Sequence, residues 1–162
     1  MEIKFNGEHT FPVPREVLWT HLNDPKVLTV CLPGCTGMEQ IGEDVYETSL
    51  KLQVASVGGT FTGKIALTDK VEPAECHMQM EGSGTIGHAT GRAAFELEEV
   101  SDSETRMVYT GTGDVGGLVA GVGQRVLGGV TKYLTRRFLT TLDKYLADEA
   151  VAAKGDGNTN PS

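Results

Sequence analysis

The sequence predicts a single α+β domain: a curved antiparallel sheet of about seven strands around one long C-terminal helix, with two short helices after the first strand. Three observations carry this. From about Leu118 to Ala150, Val122, Val126, Val130, Tyr133, Leu134, Phe138, Leu142, Tyr145 and Leu146 recur at steps of three and four, the spacing of one helical face. Residues 36–114 alternate like strands and break at short turn-rich points, which favours hairpins over parallel crossovers. Such a helix would run about 40 Å. It cannot stand free in a chain of 162 residues, so its apolar stripe must lie along the sheet.

Residues 2–11 alternate with Ile3, Phe5, His9 and Phe11 on one side and read as the first strand. Pro12 and Pro14 stop it. Pro14 suits a first helical turn, and Glu16 puts negative charge where the helix dipole favours it. Val17, Leu18, Trp19 and Leu22 make a short amphipathic helix; Asn23-Asp24-Pro25 breaks it and starts a second through about Val30. Further strands fall near 36–41, 44–55, 59–71, 75–85, 88–99 and 105–114. Gly42-Glu43-Asp44, Gly58-Gly59, Glu72-Pro73, Gly87 and Ser101-Asp102-Ser103 lie between them.

Side-chain parity assigns the faces. Tyr46, Leu50, Leu52, Val54, Phe61, Ile65, Leu67, Cys76, Met78, Met80, Phe95, Leu97, Met107 and Tyr109 face inward, while Lys51, Lys64, Glu81, Arg92 and Glu96 face water. Inward parity also carries Gly63, Gly82, Gly84, Gly91, Ala93, Gly111 and Gly113. Glycine within strands needs a reason: bends that curl the sheet, or room left between sheet and helix. Gly121, Gly123, Gly128 and Gly129 near the helix start pose the same choice between tight packing and a cavity. The polar segment 151–162 is expected to be a disordered tail behind a domain of residues 1–150.

Composition narrows the function. With 39% hydrophobic and 22% charged residues the chain is ordinary globular, and a formal charge of −8 argues against nucleic acid. No basic-then-apolar leader follows Met1, and no run of about 18 apolar residues spans a bilayer. Three cysteines suit a reducing, cytoplasmic setting. Cys31 and Cys35 flank the Pro33-Gly34 turn pair and read as small buried residues rather than metal ligands. The two G-x-G-x-x-G matches, Gly82–Gly87 and Gly111–Gly116, lack the following parallel strand of a dinucleotide fold. His9 alone among the four histidines clearly faces inward, and no inward pair of carboxylates suggests acid–base chemistry. Arg125, Lys132 and Arg136 form a basic stripe on the last helix, either a solvated face or a contact for anionic lipid or an acidic partner.

The segment PREVLWTHLNDPKVLTVCLPGC, the Gly58-Gly59 hairpin, the Thr105–Tyr109 strand and the GDVGGLVAGVG run before the last helix closely resemble the CoxG family of carbon monoxide dehydrogenase subunits, which belongs to the START-like, helix-grip superfamily. The resemblance covers about residues 1–150. It implies an accessory protein of a molybdenum hydroxylase of the carbon monoxide dehydrogenase type, linked to assembly, to membrane recruitment or to carrying a quinone. Relatives of this fold hold apolar ligands between the long helix and the sheet, and some are cyclase- or hydrolase-like enzymes. The expectation for this chain is a binder of a hydrophobic small molecule, an isoprenoid quinone or a lipid, that does no chemistry on it; the alternative is a protein-interaction factor for the hydroxylase. The expected lining is Trp19, Leu28, Leu32, Phe61, Met78, Met80, Phe95, Tyr109, Val122 and Val126, with Tyr109 able to hydrogen-bond a carbonyl or hydroxyl.

Overall fold

The computed structural model describes residues 1–54 and 57–159, with side chains through Ala150. Strand β1 (Glu2–Phe11) is followed by α1 (Arg15–Leu22) and α2 (Pro25–Cys31). Six strands come next: β2 (Cys35–Gly42), β3 (Val45–Val54), β4 (Val57–Val71), β5 (Glu75–Gly84), β6 (Gly87–Ser101) and β7 (Glu104–Gly116). A 3-10 turn (Leu118–Val122) leads into α3 (Gln124–Thr159). The seven strands form one antiparallel sheet in the order β1-β7-β6-β5-β4-β3-β2, and α3 lies across its inner face. This is the helix-gripping arrangement that the periodicities predict.

Local chemistry explains the two short helices. The Asp24 side chain accepts from the backbone N–H of Lys26 at 2.9 Å, and Pro25 occupies the first helical position, so Asn23-Asp24-Pro25 both ends α1 and caps α2. Leu18, Trp19, Leu22, Val27, Leu28 and Cys31 turn inward and close one end of the sheet. Burial pushes the Cys31 thiol up to about 11, which makes it an inert core group. Cys35 is half-buried, its Sγ donating to the Gly37 carbonyl at 3.4 Å. Thr105, fully buried, donates to the Val13 carbonyl at 2.8 Å and fastens the β1–α1 link to β7.

The core falls into two clusters. The larger joins Phe11, Leu18, Trp19, Tyr46, Leu67, Cys76, Phe95, Leu97 and Met107 to Leu139, Leu142 and Leu146 of α3. The smaller, at the other end, joins Ile3, Val57 and Val119 to Leu127 and Val130.

The last helix differs from the sequence reading in its start, its stripe and its glycines. The α-helix begins at Gln124 rather than near Leu118, because Gly123 sits at φ +93°, a conformation that breaks a right-handed helix. Val122 therefore belongs to the 3-10 turn. Tyr133 is 41% exposed, with the Arg137 guanidinium 5.9 Å over its ring, while Leu127 and Leu139 are buried instead. A Cβ built on Gly121, Gly123, Gly128 or Gly129 meets no atom within 4 Å, so tight packing does not account for these glycines. Backbone helix continues to Thr159, into the segment expected as tail; residues 160–162 lie outside the described residues.

Histidine 21 clamps the far end of α3. Its Nδ1 faces the Val17 carbonyl at 2.7 Å and its Nε2 faces the Glu149 carboxylate at 2.7 Å, two acceptors that the ring satisfies together when it is protonated and both nitrogens donate. Burial alone would lower its pKa, but the Val17 carbonyl and Glu149, helped by Asp24, raise it above the usual value of 6.5. A group with a raised folded pKa stabilises fully below its unfolded pKa and loses that contribution as pH rises through the folded one. The melting temperature is therefore expected to be higher at pH 6 than at pH 8 by about 1–3 °C, since Glu149 is solvent-exposed and the pair is worth under about 1 kcal/mol. In His21→Gln that increment should vanish; a melting profile over this pH range identical to wild type would refute the clamp.

Candidate functional site

The register of the sheet shows where its inner face is bare. Tyr46, Ile65, Met80, Gly91, Gly113 and Ile3 lie in one row across β3, β4, β5, β6, β7 and β1. Gly63, Gly82 and Ala89 form the row on one side, and Leu67, Met78, Ala93, Gly111 and Phe5 the row on the other. A floor of glycine and alanine thus lies across the central strands.

Two different causes place glycine there. At Gly63 an added Cβ would fall 2.1 Å from the Glu81 carbonyl oxygen, and at Gly84 2.1 Å from that of Thr60, so the strands approach too closely for any side chain. These positions curl the sheet. Gly82 and Gly113 are different. The only atoms within 4 Å of a Cβ there belong to adjacent strands, and nothing from α3 reaches them. At Gly91 the nearest atoms are the Thr112 oxygen at 3.4 Å and the Met80 Cε, the end of a flexible side chain, at 3.5 Å. The helix leaves this part of the floor uncovered.

The ten expected lining residues divide around this floor. Trp19, Leu28 and Phe95 are buried, and the Trp19 and Phe95 rings pack edge to face at 6.3 Å; they seal the α1–α2 end. Leu32, Met78, Met80 and Tyr109 are half-buried against the larger cluster, and Val122 and Val126 against the smaller. Phe61 is half-buried and joins neither. Met78, Met80, Phe61 and Tyr109 therefore face inward yet keep solvent-accessible surface, which an interior filled by the helix would have removed.

A cavity of about 250 Å³ opens at the seam between β1 and α3. Phe5, Tyr109 and Leu139 form its apolar side; Asn6, His9, Lys132, Thr135, Arg136 and Thr140 form its polar side. The Phe5 ring occupies the place a Cβ on Gly111 would take, and the Tyr109 hydroxyl lies over Gly7. Their ring centres are 6.5 Å apart. His9 Nε2 meets Asp143 Oδ2 at 2.5 Å, and the imidazole stands edge-on to Phe11 at 4.6 Å. Parity finds His9, but Asp143 lies 134 residues away and only the docking of α3 makes it a partner. A larger concavity of about 610 Å³ is lined by Lys64, Gln79, Glu81, Arg92, Thr112 and Asp114 of the water-facing side of the sheet and also reaches Met80, Gly91 and Gly113.

Among the described residues, no helix is long and apolar enough to cross a membrane. Arg125, Lys132 and Arg136 are all exposed. Leu118, in the 3-10 turn, is 77% exposed.

Comparison with known proteins agrees with this architecture. The family model of CoxG, a carbon monoxide dehydrogenase subunit, matches residues 7–147. No curated protein matches the chain. Among solved structures, a conserved protein from Geobacillus kaustophilus is 34% identical, with 90% of this chain and 96% of that one covered and a TM-score of 0.88. A START superfamily protein from Mycobacterium smegmatis is 9% identical with a TM-score of 0.74, covering 90% of this chain and 97% of that one. The Zhui aromatase/cyclase from a Streptomyces species is 17% identical with a TM-score of 0.70, covering 94% and 98%. The last two share the fold.

Proposed function

The chain belongs to the CoxG family of carbon monoxide dehydrogenase subunits, and from that premise we propose that it carries a hydrophobic small molecule between α3 and the sheet for a molybdenum hydroxylase, without transforming it. The observation that carries this reading is the uncovered floor at Gly82, Gly91 and Gly113, between two separate hydrophobic clusters. An apolar chain laid there would contact Phe61, Met78 and Met80, whose inward surfaces are partly open. Each square ångström of apolar surface it buries contributes about 25 cal/mol, so a long isoprenoid quinone or lipid tail needs no dedicated charge to bind. The thioethers of Met78 and Met80 adapt to irregular shapes. Tyr109 would donate to a carbonyl or hydroxyl of the cargo.

Loading from a membrane follows from the same reading. Leu118 offers an exposed apolar side chain next to Gly116-Gly117, and Arg125, Lys132 and Arg136 offer charge for anionic lipid. The competing reading, an assembly or recruitment factor with no cargo, draws on the mixed-charge concavity of the outer sheet face, a shape suited to a protein partner.

Native mass spectrometry of gently purified protein, with organic extraction, separates the two. A stoichiometric quinone or lipid is expected; a protein that is empty and takes up no added quinone sinks the carrier reading. Gly91→Leu supplies the companion test. Its side chain would displace the flexible Met80 Cε and project over the floor. Uptake is expected to fall about tenfold, roughly 1.4 kcal/mol, with a melting temperature within about 3 °C of wild type. Undiminished uptake by a folded Gly91→Leu protein would show that the cargo sits elsewhere.

A further inference from the structure

We propose that the seam cavity between β1 and α3 is a head-group site for an anionic amphiphile, a carboxylate or phosphate on a single apolar chain. The inference rests on the carrier reading above and specifies the polar end of the cargo. At about 250 Å³ the cavity lies below the roughly 300–1,000 Å³ of pockets that enclose a whole ligand, so it suits a head rather than a complete molecule.

Its electrostatics select the charge. Lys132 and Arg136, four residues apart on α3, project to the same side of the helix and repel each other. Neither has an ion-pair partner among the described residues. From Val115 to Leu142 the sequence contains Arg125, Lys132, Arg136 and Arg137 and no acidic residue, in a chain of formal charge −8. Among the described residues no carboxylate lines the cavity, and the nearby Asp143 is engaged by His9. A bound anion would satisfy both cations, with the Thr140 hydroxyl available as a further donor. The tail has a path. Phe5 and Tyr109 line the cavity's apolar side; Phe5 stands in the sheet row bordering the uncovered floor at Gly91 and Gly113 and Tyr109 in the next row out, so a chain leaving the head site can run over the Phe5 ring.

Calorimetric titration of the full chain with decanoate, decyl phosphate and decanol tests this, each kept below micelle formation. One anionic ligand is expected to bind at least tenfold more tightly than decanol at low salt, and comparison of the two identifies the head. In Lys132→Gln/Arg136→Gln the preference should disappear, the affinity for the anionic ligand falling to that for decanol. The control Arg137→Gln/Lys144→Gln removes the same charge from the same helix outside the cavity and should keep the preference. Equal binding of all three ligands by wild type would overturn the head-group site while leaving the carrier reading standing. So would a control double variant that loses the preference as fully as the first. Binding of none of them, decanol included, would overturn both.

Discussion

Gly63→Ala is expected to abolish stable folding. A Cβ at this position would fall 2.1 Å from the Glu81 carbonyl oxygen and 3.0 Å from the Gly82 Cα, and neither atom can rotate away because both are backbone. Gly63 pairs with Thr48 on one side and Gly82 on the other, so relief requires separating β4 from β5 in the middle of the sheet. That strain, with the hydrogen bonds lost beside it, exceeds about 4 kcal/mol, a large share of the roughly 5–15 kcal/mol that holds a typical domain together. Soluble yield should collapse, and any recovered protein should unfold at much lower urea. Gly82→Ala, one strand away, is the contrast: its Cβ would come no nearer than 3.5 Å to anything, and its stability should stay within about 1 kcal/mol of wild type. Equal behaviour of the two variants would mean that the close approach of β4 and β5 is not what requires glycine at 63.

Leu142→Ala should cost about 2–5 kcal/mol and lower the melting temperature by roughly 5–15 °C. Leu142 is fully buried in the larger cluster, where α3 meets the residues of α1, α2 and the sheet. Truncation leaves a cavity whose walls, strands fixed by a seven-stranded ladder, cannot collapse to fill it. Tyr133→Ala removes more atoms from the same helix but from an exposed position, and should cost well under half as much by thermal melting. A Leu142→Ala protein as stable as Tyr133→Ala would show that α3 is not anchored at this point.

The pair Leu142 and Tyr133 illustrates how far periodicity reaches. A three-and-four spacing identifies a helical face with broad margins, and Tyr133 and Leu139 lie at its two opposite edges. Which margin is covered depends on how the helix rotates against the sheet. Rotation buries Leu127 and Leu139 and leaves Tyr133 under Arg137. The strands are more legible, because period-two alternation admits only two faces and the burial of Tyr46, Ile65, Leu67, Phe95, Leu97 and Met107 settles which one is inner. The helix start escapes the pattern because apolar Leu118, Val119 and Val122 continue the helical spacing, while the positive φ of Gly123 that interrupts it has no periodicity.

The sequence by itself determined the antiparallel meander, the two short helices, the terminal helix and the family, since alternation, turn residues and local caps act over a few neighbouring positions. Only the tertiary structure decided what each inner glycine does. Gly63 and Gly82 are alike in composition and parity, yet one is required by a backbone 2.1 Å away and the other faces uncovered space. Only the tertiary structure brought His9 to Asp143, and Lys132 and Arg136 to the rings of Phe5 and Tyr109. These are encounters between segments far apart in the chain or between facing strands. Their distances follow from how strongly the sheet coils and where the helix settles in it, quantities that no local pattern encodes.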